Sequence, residues 1–260
     1  MSKNIKTEKG FWDSYWDKRK SIKNNYQSLQ ITEIQRIFKK YLPVNNHWSV
    51  LEIGGANSCF LEFMAKQFHY QICSLDYSSV GNQATRAHFA ERNIEIQIFE
   101  RDLFSDLDTL PLFDLVYSLG FIEHFENPVP VIKQHLRLLK PEGILIIGIP
   151  NLTGIYQKVL DRTAPSFRKS HNLKIMNISS WGTFEGECRL KSIFKSYIGG
   201  FEPLNMKKLE NKKPLSLLLY GFITLLTILL SFKISFLRKV NSRFLSGYII
   251  GIYNRIADEV

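Results

Sequence analysis

Cysteine is scarce in this 260-residue chain: there are three, and none stands in a C-x-x-C pair or in a histidine-rich metal spacing. The scarcity excludes a disulfide framework, argues against a structural zinc site and favours the reducing cytosol. The opening residues MSKNIKTEKG are basic, but no apolar segment follows them, so we expect no secretory signal peptide. A composition of 45% hydrophobic and 22% charged residues is that of a folded globular protein.

Acidic residues are concentrated in the middle of the chain. Residues 51–150 carry 13 Asp and Glu against 7 Lys and Arg, whereas residues 151–260 carry 7 against 17 and residues 1–50 carry 4 against 10. Basic flanks of this kind suit a nucleic acid, an anionic membrane surface or plain solvent. The charge distribution alone leaves these three open.

Short apolar segments alternate with helical stretches from Trp48 to Pro150. Helices are predicted over SCFLEFMAKQF, over residues 79–92, and from Asn127-Pro128 onwards with a buried stripe that includes Leu139. Regular alternation of this kind predicts a doubly wound, mostly parallel sheet, whose ligands bind at the carboxyl ends of the strands. The predicted strands are WSVLEIG, QICSLDY, IEIQIFERD, FDLVYSLG and GILIIGIP.

The loop after the first predicted strand has the composition of a nucleoside-binding turn. Gly54 and Gly55 allow close approach of a ligand to the backbone, and the next helix directs its free N–H groups at that ligand. Asp76 ends the second strand, where an acid can bind both hydroxyls of a ribose. These features fit a dinucleotide and S-adenosylmethionine equally well.

Five segments together resemble the class I S-adenosylmethionine-dependent methyltransferases: LEIGGANS, SLDYS, RDL at 101–103, FDLVYSLGFIEHFENP and LKPEGILIIGIPN. The resemblance covers residues 48–151. It implies a Rossmann-like α/β fold with a seven-stranded sheet, an antiparallel last strand, and S-adenosyl-L-methionine as cofactor. The cofactor residues that it implies are Glu52, Gly54, Gly55, Ala56 and Asn57 around the loop, Asp76 and Tyr77 at the ribose, Asp102 and Leu103 at the adenine, and Ser118 and Leu119 on the floor.

The loop departs from the family pattern E-x-G-x-G-x-G at two positions, Ala56 and Ser58. A left-handed alanine would cost roughly 1–2 kcal/mol, so we expect a negative φ at Ala56. Ser58 can cap the following helix instead. We therefore expect the cofactor site to be intact.

Two further motifs supply candidate groups around the reaction. His124 follows the fourth strand and is a candidate general base, or else it packs locally against the backbone. The aromatic segment FWDSYW at 11–16 precedes the core, and an N-terminal segment lies over the cofactor as a lid in similar methyltransferases. Tyr15 and Trp16 are candidates to cover the sulfonium, or else dock the helix by their rings alone.

The stretch IEHF also resembles the ubiquinone-biosynthesis O-methyltransferases, in which E-x-x-E-H is associated with a metal ion. Gly120 stands here at the position of the first glutamate, which leaves Glu123 and His124. Two ligands make a poor site for a hard divalent cation, so we expect no metal.

The resemblance divides the chain as a single methyltransferase domain. Residues 1–47 form the lid and first helices, 48–151 the cofactor core, and 152–187 an acceptor-site insertion whose basic cluster suits either an acidic acceptor or solvent. Residues 188–210 and 244–260 carry the last helix and strands, with strands predicted in EPLNMKKLE and SGYIIGIYNRI. Residues 211–243 form a hydrophobic, basic-flanked insertion.

Residues 215–232 of that hydrophobic insertion carry no charge in 18 positions, a borderline length for a membrane span. A single crossing would separate the last two strands, so we favour a helix in the membrane interface over one buried against the body or a dimer partner. A mildly polar stripe runs along this helix: Ser216, Tyr220, Thr224, Thr227 and Ser231. The basic flanks are Lys212, Lys213, Lys233, Arg238, Lys239 and Arg243.

The functional hypothesis is a cytoplasmic methyltransferase, at the inner face of the membrane, that O-methylates a small or lipid-linked saccharide, because methyltransferases of bacterial envelope-glycan pathways are similar in layout. A quinone or other lipid is the alternative acceptor, and a non-catalytic cofactor-binding or membrane-docked scaffold is the alternative class. No nucleic-acid partner is expected, since no N-P-P-Y-like tetrapeptide is present. The methylated atom and the oligomeric state stay open.

Overall fold

The structure is a computed structural model that describes residues 5–7, 9–17, 29–56, 58–206, 208–210, 213–231 and 240–256. The side chains of residues 9, 204 and 227–231 lie outside this description, and so does Asn57, one of the expected cofactor residues. Parts of the hydrophobic insertion, residues 211–212 and 232–239, also lie outside it.

The described residues form a seven-stranded sheet in the order β3-β2-β1-β4-β5-β7-β6. Strand β7 runs antiparallel to both of its neighbours, β5 and β6, and the other neighbouring pairs are parallel. This is the mostly parallel sheet with an antiparallel last strand that the sequence predicts. The strands are β1 Ser49–Ile53, β2 Gln71–Asp76, β3 Gln97–Glu100, β4 Phe113–Leu119, β5 Leu139–Pro150, β6 Leu190–Phe201 and β7 Ser246–Arg255.

Helices cover both faces of the sheet and bury an apolar cluster on each. The strands between them are apolar because both of their faces are covered. The sheet order reverses between β1 and β4, so the carboxyl ends of these strands open a crevice. The helices are α1 Lys9–Asp17, α2 Leu29–Tyr41, α3 Cys59–Phe68, α4 Ser79–Ala90, α5 Pro128–Arg137, α6 Gly154–Thr163, α7 Pro165–Lys169, α8 Trp181–Glu187 and α9 Pro214–Ser231.

Two local predictions are wrong. The strand predicted in residues 202–210 is instead a 3-10 turn at Pro203–Met206, and β6 lies at 190–201. Pro203 has no N–H to give to a strand ladder, which explains why pairing with β7 ends at Phe201. Leu139, predicted in the buried stripe of α5, lies beyond the helix end and pairs with Phe113 at the start of β5.

Helix α9 presents apolar side chains outward. Ser216 and Ile223 face the protein at 3% and 2% exposure, and the Ser216 hydroxyl donates to the Arg162 carbonyl oxygen at 3.0 Å. Away from the protein, the helix exposes five large apolar side chains among those described: Leu215, Leu217, Leu218, Phe222 and Leu225. In the part of the chain that the structure describes, no helix is long and apolar enough to cross a membrane.

Candidate active site

A cleft with two adjoining lobes lies at the carboxyl ends of β1, β2 and β4. The first lobe has a volume of about 320 Å³ and the second about 380 Å³, and they share Trp12, Tyr77 and Phe121. The first is also lined by Tyr15, Trp16, Glu52, Gly54, Ala56, Ser58, Cys59, Phe60, Asp76, Leu119 and Gly120. The second is also lined by Ile5, Thr7, Asp102, Leu103, Phe104, His124 and Phe125.

The loop between β1 and α3 keeps the backbone open to the first lobe. Gly54 has φ +71°, and a Cβ there would lie 2.6 Å from the Phe121 ring, so only glycine fits. Ala56 is absent from the described non-glycine residues with positive φ, as predicted. Ser58 caps α3 by accepting hydrogen bonds from the N–H groups of Phe60 and Leu61 at 3.1 and 3.4 Å, which confirms its predicted role.

Asp76 is a buried carboxylate at the end of β2. Its two oxygens accept from the Ser78 N–H at 2.8 Å and the Ala56 N–H at 3.3 Å. Burial raises its pKa to about 6, although these hydrogen bonds act in the opposite direction. A carboxylate has about four acceptor positions, so capacity for the two hydroxyls of a ribose remains.

Glu52 is the second buried acid of the first lobe. The Tyr117 hydroxyl donates to its Oε2 at 2.5 Å, and burial raises the pKa of Glu52 to about 7. Two acids in one apolar cleft create a local negative potential when ionised, which suits a cationic ligand.

Helix α1 packs over the first lobe, which its Trp12, Tyr15 and Trp16 line, and its role as a lid stays a prediction. The Ser78 hydroxyl donates to Asp13 at 2.6 Å, which ties α1 to the start of α4. Gly81 of α4 packs against both the cofactor loop and α1, because a Cβ there would be 2.6 Å from Ala56 Cβ and 2.9 Å from the Trp16 ring. The Trp12 ring meets the His124 ring edge-on with 5.0 Å between centroids, so the lid reaches both lobes.

His124 lies in a buried polar cluster at one end of the second lobe. Its Nε2 is 3.9 Å from Glu123 Oε1, and its ring centroid is 4.7 Å from that of His171. Burial, with His171 adding to it, lowers the pKa of His124 to about 3, and burial raises the pKa of Glu123 to about 8. An imidazole with so low a pKa is a weak base. The position of His124 therefore fits the predicted role of general base better than its basicity does.

The structure brings most of the predicted site residues to the cleft. Gly55 and Ser118 line neither lobe. Neighbouring strand residues point to opposite faces, and the Ser118 hydroxyl therefore donates to Nε2 of His135 in α5 at 3.0 Å while Leu119 faces the first lobe. Those that line the lobes are Tyr15, Trp16, Glu52, Gly54, Ala56, Asp76, Tyr77, Asp102, Leu103, Leu119 and His124.

Sequence reasoning did not assign several residues of this region to the site, among them Thr7, Trp12, Phe121 and His171. Trp12 could have been found, because it precedes Tyr15 and Trp16 by three and four residues and so shares their helix face. Phe121 lies inside the segment FDLVYSLGFIEHFENP, but the sequence did not single it out as a site residue. His171 belongs to the basic cluster of the acceptor-site insertion, but its contact with His124 had no signal, because only the folded chain brings the segment after α7 to the end of β4.

The residues of the cleft fit S-adenosylmethionine. A Cβ at Gly54 would obstruct the side of the loop that faces the first lobe, and Asp76 retains acceptor capacity for a ribose. Three aromatic rings of α1 line the same lobe and can face a sulfonium. The volumes of the two lobes lie in the range of small-molecule sites.

Comparison with known proteins identifies the family. A model of the methyltransferase domain matches residues 23–189, more than half of the chain. The chain belongs to the methyltransferase-domain family, and the predicted class I S-adenosylmethionine-dependent methyltransferase fold is confirmed.

Two curated relatives are ubiquinone biosynthesis O-methyltransferases, from Histophilus somni and Pasteurella multocida. Each is 27% identical to this chain, over 145 and 150 residues, or 54% of this chain in both cases. The matches span 60% and 61% of the length of these relatives.

Solved structures show the same fold at low sequence identity. The MccD protein matches with a TM-score of 0.59 at 12% identity, covering 85% of this chain and 96% of its own. Coclaurine N-methyltransferase bound to N-methylheliamine and S-adenosylhomocysteine also matches with a TM-score of 0.59, at 11% identity over 86% of this chain and 72% of its own.

Proposed function

We propose that this protein transfers the methyl group of S-adenosylmethionine to a hydroxyl oxygen of a small acceptor. The observation that carries the proposal is a polar end, at Thr7 and His124, within a second lobe that is mostly lined by apolar and aromatic side chains. The Thr7 hydroxyl is buried there without a hydrogen-bond partner among the described residues, and His124 lines the same lobe. Buried polar atoms of this kind are costly unless a ligand satisfies them, and a hydroxyl can both donate to and accept from them.

The chain contributes binding and alignment to this reaction. S-adenosylmethionine, when bound, supplies an electrophilic methyl group on a sulfonium. Asp76 would hold the ribose, the loop at Gly54 the methionine part, and Asp102 and Leu103 the adenine. The lid excludes water and places Trp12 between the two lobes, which favours in-line displacement by alignment and desolvation.

The acceptor that we favour is a lipid-linked saccharide, methylated at a membrane surface. The support is the apolar outer face of α9, on which leucines and a phenylalanine are exposed. Lys213, at the start of this helix, is exposed, and the insertion carries six basic residues and no acid. An apolar face with basic flanks suits an anionic lipid surface.

A quinone precursor is the second candidate acceptor. The two curated relatives carry ubiquinone biosynthesis in their names, and three phenylalanines line the second lobe: Phe104, Phe121 and Phe125. Aromatic walls favour a planar ring over a sugar.

The test supplies the purified chain with methyl-labelled S-adenosylmethionine and either a membrane-lipid extract or a delipidated soluble extract. We expect the label to enter the organic phase with a lipid-linked product. Mild acid, which cleaves a glycosyl phosphate, should then move the label to the aqueous phase. Acid-stable label in a quinone-like product would favour the second candidate. Cofactor binding without label in any extract would support the non-catalytic scaffold and overturn the proposal.

A further inference from the structure

Three buried side chains from two separate segments converge beside the second lobe. Glu123 and His124 lie in the 3-10 turn Ile122–His124 after β4, and His171 follows α7. Each offers one ligand atom, and these atoms all lie within 4.8 Å of one another. The side chains are only 1%, 7% and 7% exposed.

Two atoms of this cluster have no partner. Glu123 Oε2 and His124 Nδ1 are fully buried and make no hydrogen bond within the described part of the chain. His124 Nε2 and Glu123 Oε1, at 3.9 Å, are too far apart to hydrogen-bond. A carboxylate oxygen and an imidazole nitrogen that keep their lone pairs in this way are available to a ligand that accepts lone pairs.

His171 is oriented for such a ligand. Its Nδ1 lies 2.7 Å from the carbonyl oxygen of Phe167, and because a carbonyl can only accept, this nitrogen carries the ring proton. Nε2 therefore keeps its lone pair. A backbone carbonyl is one of the usual partners, with carboxylates and waters, that fix the tautomer of a metal-bound histidine.

The charges around the cluster restrict which cation it can hold. Lys6 and Lys208 lie close enough to His171 to act on it electrostatically, and they oppose a weakly bound cation. Two imidazoles and one carboxylate suit zinc-like metals, whereas magnesium and calcium need several oxygens. Only a metal with strong bonds to nitrogen can overcome the repulsion.

We propose that Glu123, His124 and His171 bind a divalent transition metal of the zinc type, with its fourth position open to the second lobe. Tetrahedral zinc with bonds near 2.0–2.1 Å would separate ligand pairs by about 3.3 Å, so the cluster contracts by an ångström or so on binding. The role of this metal site in the reaction rests on the proposed function, whereas the affinity of the site for a metal does not.

The proposed site differs from the E-x-x-E-H motif of the ubiquinone-biosynthesis O-methyltransferases. It also departs from the expectation that this protein binds no metal. The E-x-x-E-H pattern is broken at Gly120, and the third ligand comes instead from the acceptor-site insertion, 47 residues after His124. The count of two ligands was incomplete because His171 joins only in the folded chain.

The open position would bind the acceptor oxygen. The acceptor hydroxyl loses its proton to solvent as its oxygen binds the metal, which lowers the pKa of that hydroxyl. The new oxygen–carbon bond forms as the sulfur–carbon bond breaks, and the sulfonium leaves as a neutral thioether. One proton is released per methyl group transferred.

The experiment measures zinc binding to the full chain after removal of metals with a chelator. A chromophoric competitor reports the affinity, and thermal unfolding reports the stabilisation. We expect one zinc ion per chain, no response to magnesium, and an affinity lower by about 100-fold or more in His171→Gln. His47→Gln, at an exposed histidine, serves as the matched control.

Binding of S-adenosylhomocysteine is measured on the same variants, because it reports folding and the cofactor lobe independently of metal. We expect it to be unchanged in His171→Gln. Should that variant unfold, Glu123→Gln takes its place with the same expected loss of zinc affinity. Equal zinc affinity in wild type and variant, or none in wild type, overturns the metal site while leaving the proposed function standing. Zinc binding without methyl transfer would support the metal site and overturn the proposed function.

Discussion

Asp76→Asn tests the cofactor site by opposite effects on stability and binding. Burial raises the pKa of Asp76 from its ordinary value near 3.8 to about 6. The folded state therefore holds more protons than the unfolded state between these two pH values, and the stability of the wild type falls as pH rises through that window. Above pH 6 the whole cost of the buried charge is present.

The magnitude follows from that rise. About 2 pH units at 1.36 kcal/mol each is about 3 kcal/mol. Asparagine removes this cost and keeps an oxygen towards the Ser78 N–H, but it loses the longer bond from Ala56, worth about 1 kcal/mol. We expect a net gain of about 2 kcal/mol above pH 6 that vanishes near pH 4.

Cofactor affinity should change in the opposite direction. A hydrogen bond to a charged group contributes about 1.5–3 kcal/mol, so losing one ribose contact weakens binding by roughly 10- to 100-fold. Urea unfolding between pH 5 and pH 8 and calorimetric titration with S-adenosylhomocysteine measure both quantities. An Asp76→Asn protein that is less stable at pH 8 and binds as tightly as wild type would refute the reasoning.

Three further substitutions probe the lid, the buried acid and α9. Gly81→Ala places a methyl group 2.6 Å from Ala56 Cβ and 2.9 Å from the Trp16 ring, and should weaken S-adenosylhomocysteine binding by roughly 10-fold in a calorimetric titration, since the cofactor loop and the lid must both shift. Tyr117→Phe removes the donor to Glu52 and should destabilise by about 1–3 kcal/mol in urea, more at pH 8 than at pH 5.5, because the ionised acid needs the bond most. Phe222→Glu should abolish sedimentation with anionic vesicles without changing the unfolding temperature, since this side chain is 59% exposed.

Matched controls accompany these variants. Gly182→Ala has nothing within 4 Å of the added methyl group and should bind cofactor as wild type does; equal affinity of the two alanine variants would contradict the lid packing. Leu112→Glu changes a similarly exposed apolar side chain away from α9 and should leave vesicle binding intact. A pH-independent effect of Tyr117→Phe would show that Glu52 does not ionise in this range.

The sheet and the cofactor loop could be predicted because their signals are local. Buried parallel strands are apolar runs, and the residues at their carboxyl ends, such as Gly54 and Asp76, must lie together at one edge of the sheet. The direction of Ser118 could have been derived from strand alternation, since only one of two successive residues can face the cleft.

The remaining features depend on tertiary contacts. The place of β6 was missed because LKSIFKSYIGGF has weaker alternation than a half-buried strand usually shows, and because pairing with β7 decides its register. His171 reaches His124 only through the packing of the insertion on the end of β4. The roles of individual cofactor residues stay predictions from the family resemblance.

The most direct test of the account is a crystal structure with S-adenosylhomocysteine bound. We expect the ribose hydroxyls to hydrogen-bond to Asp76, the adenine to lie beside Asp102 and Leu103, and the sulfur to face His124, whose end of the second lobe stays open for the acceptor. A cofactor bound elsewhere, or one whose ribose makes no contact with Asp76, would contradict the assignment of this cleft as the methyl-transfer site.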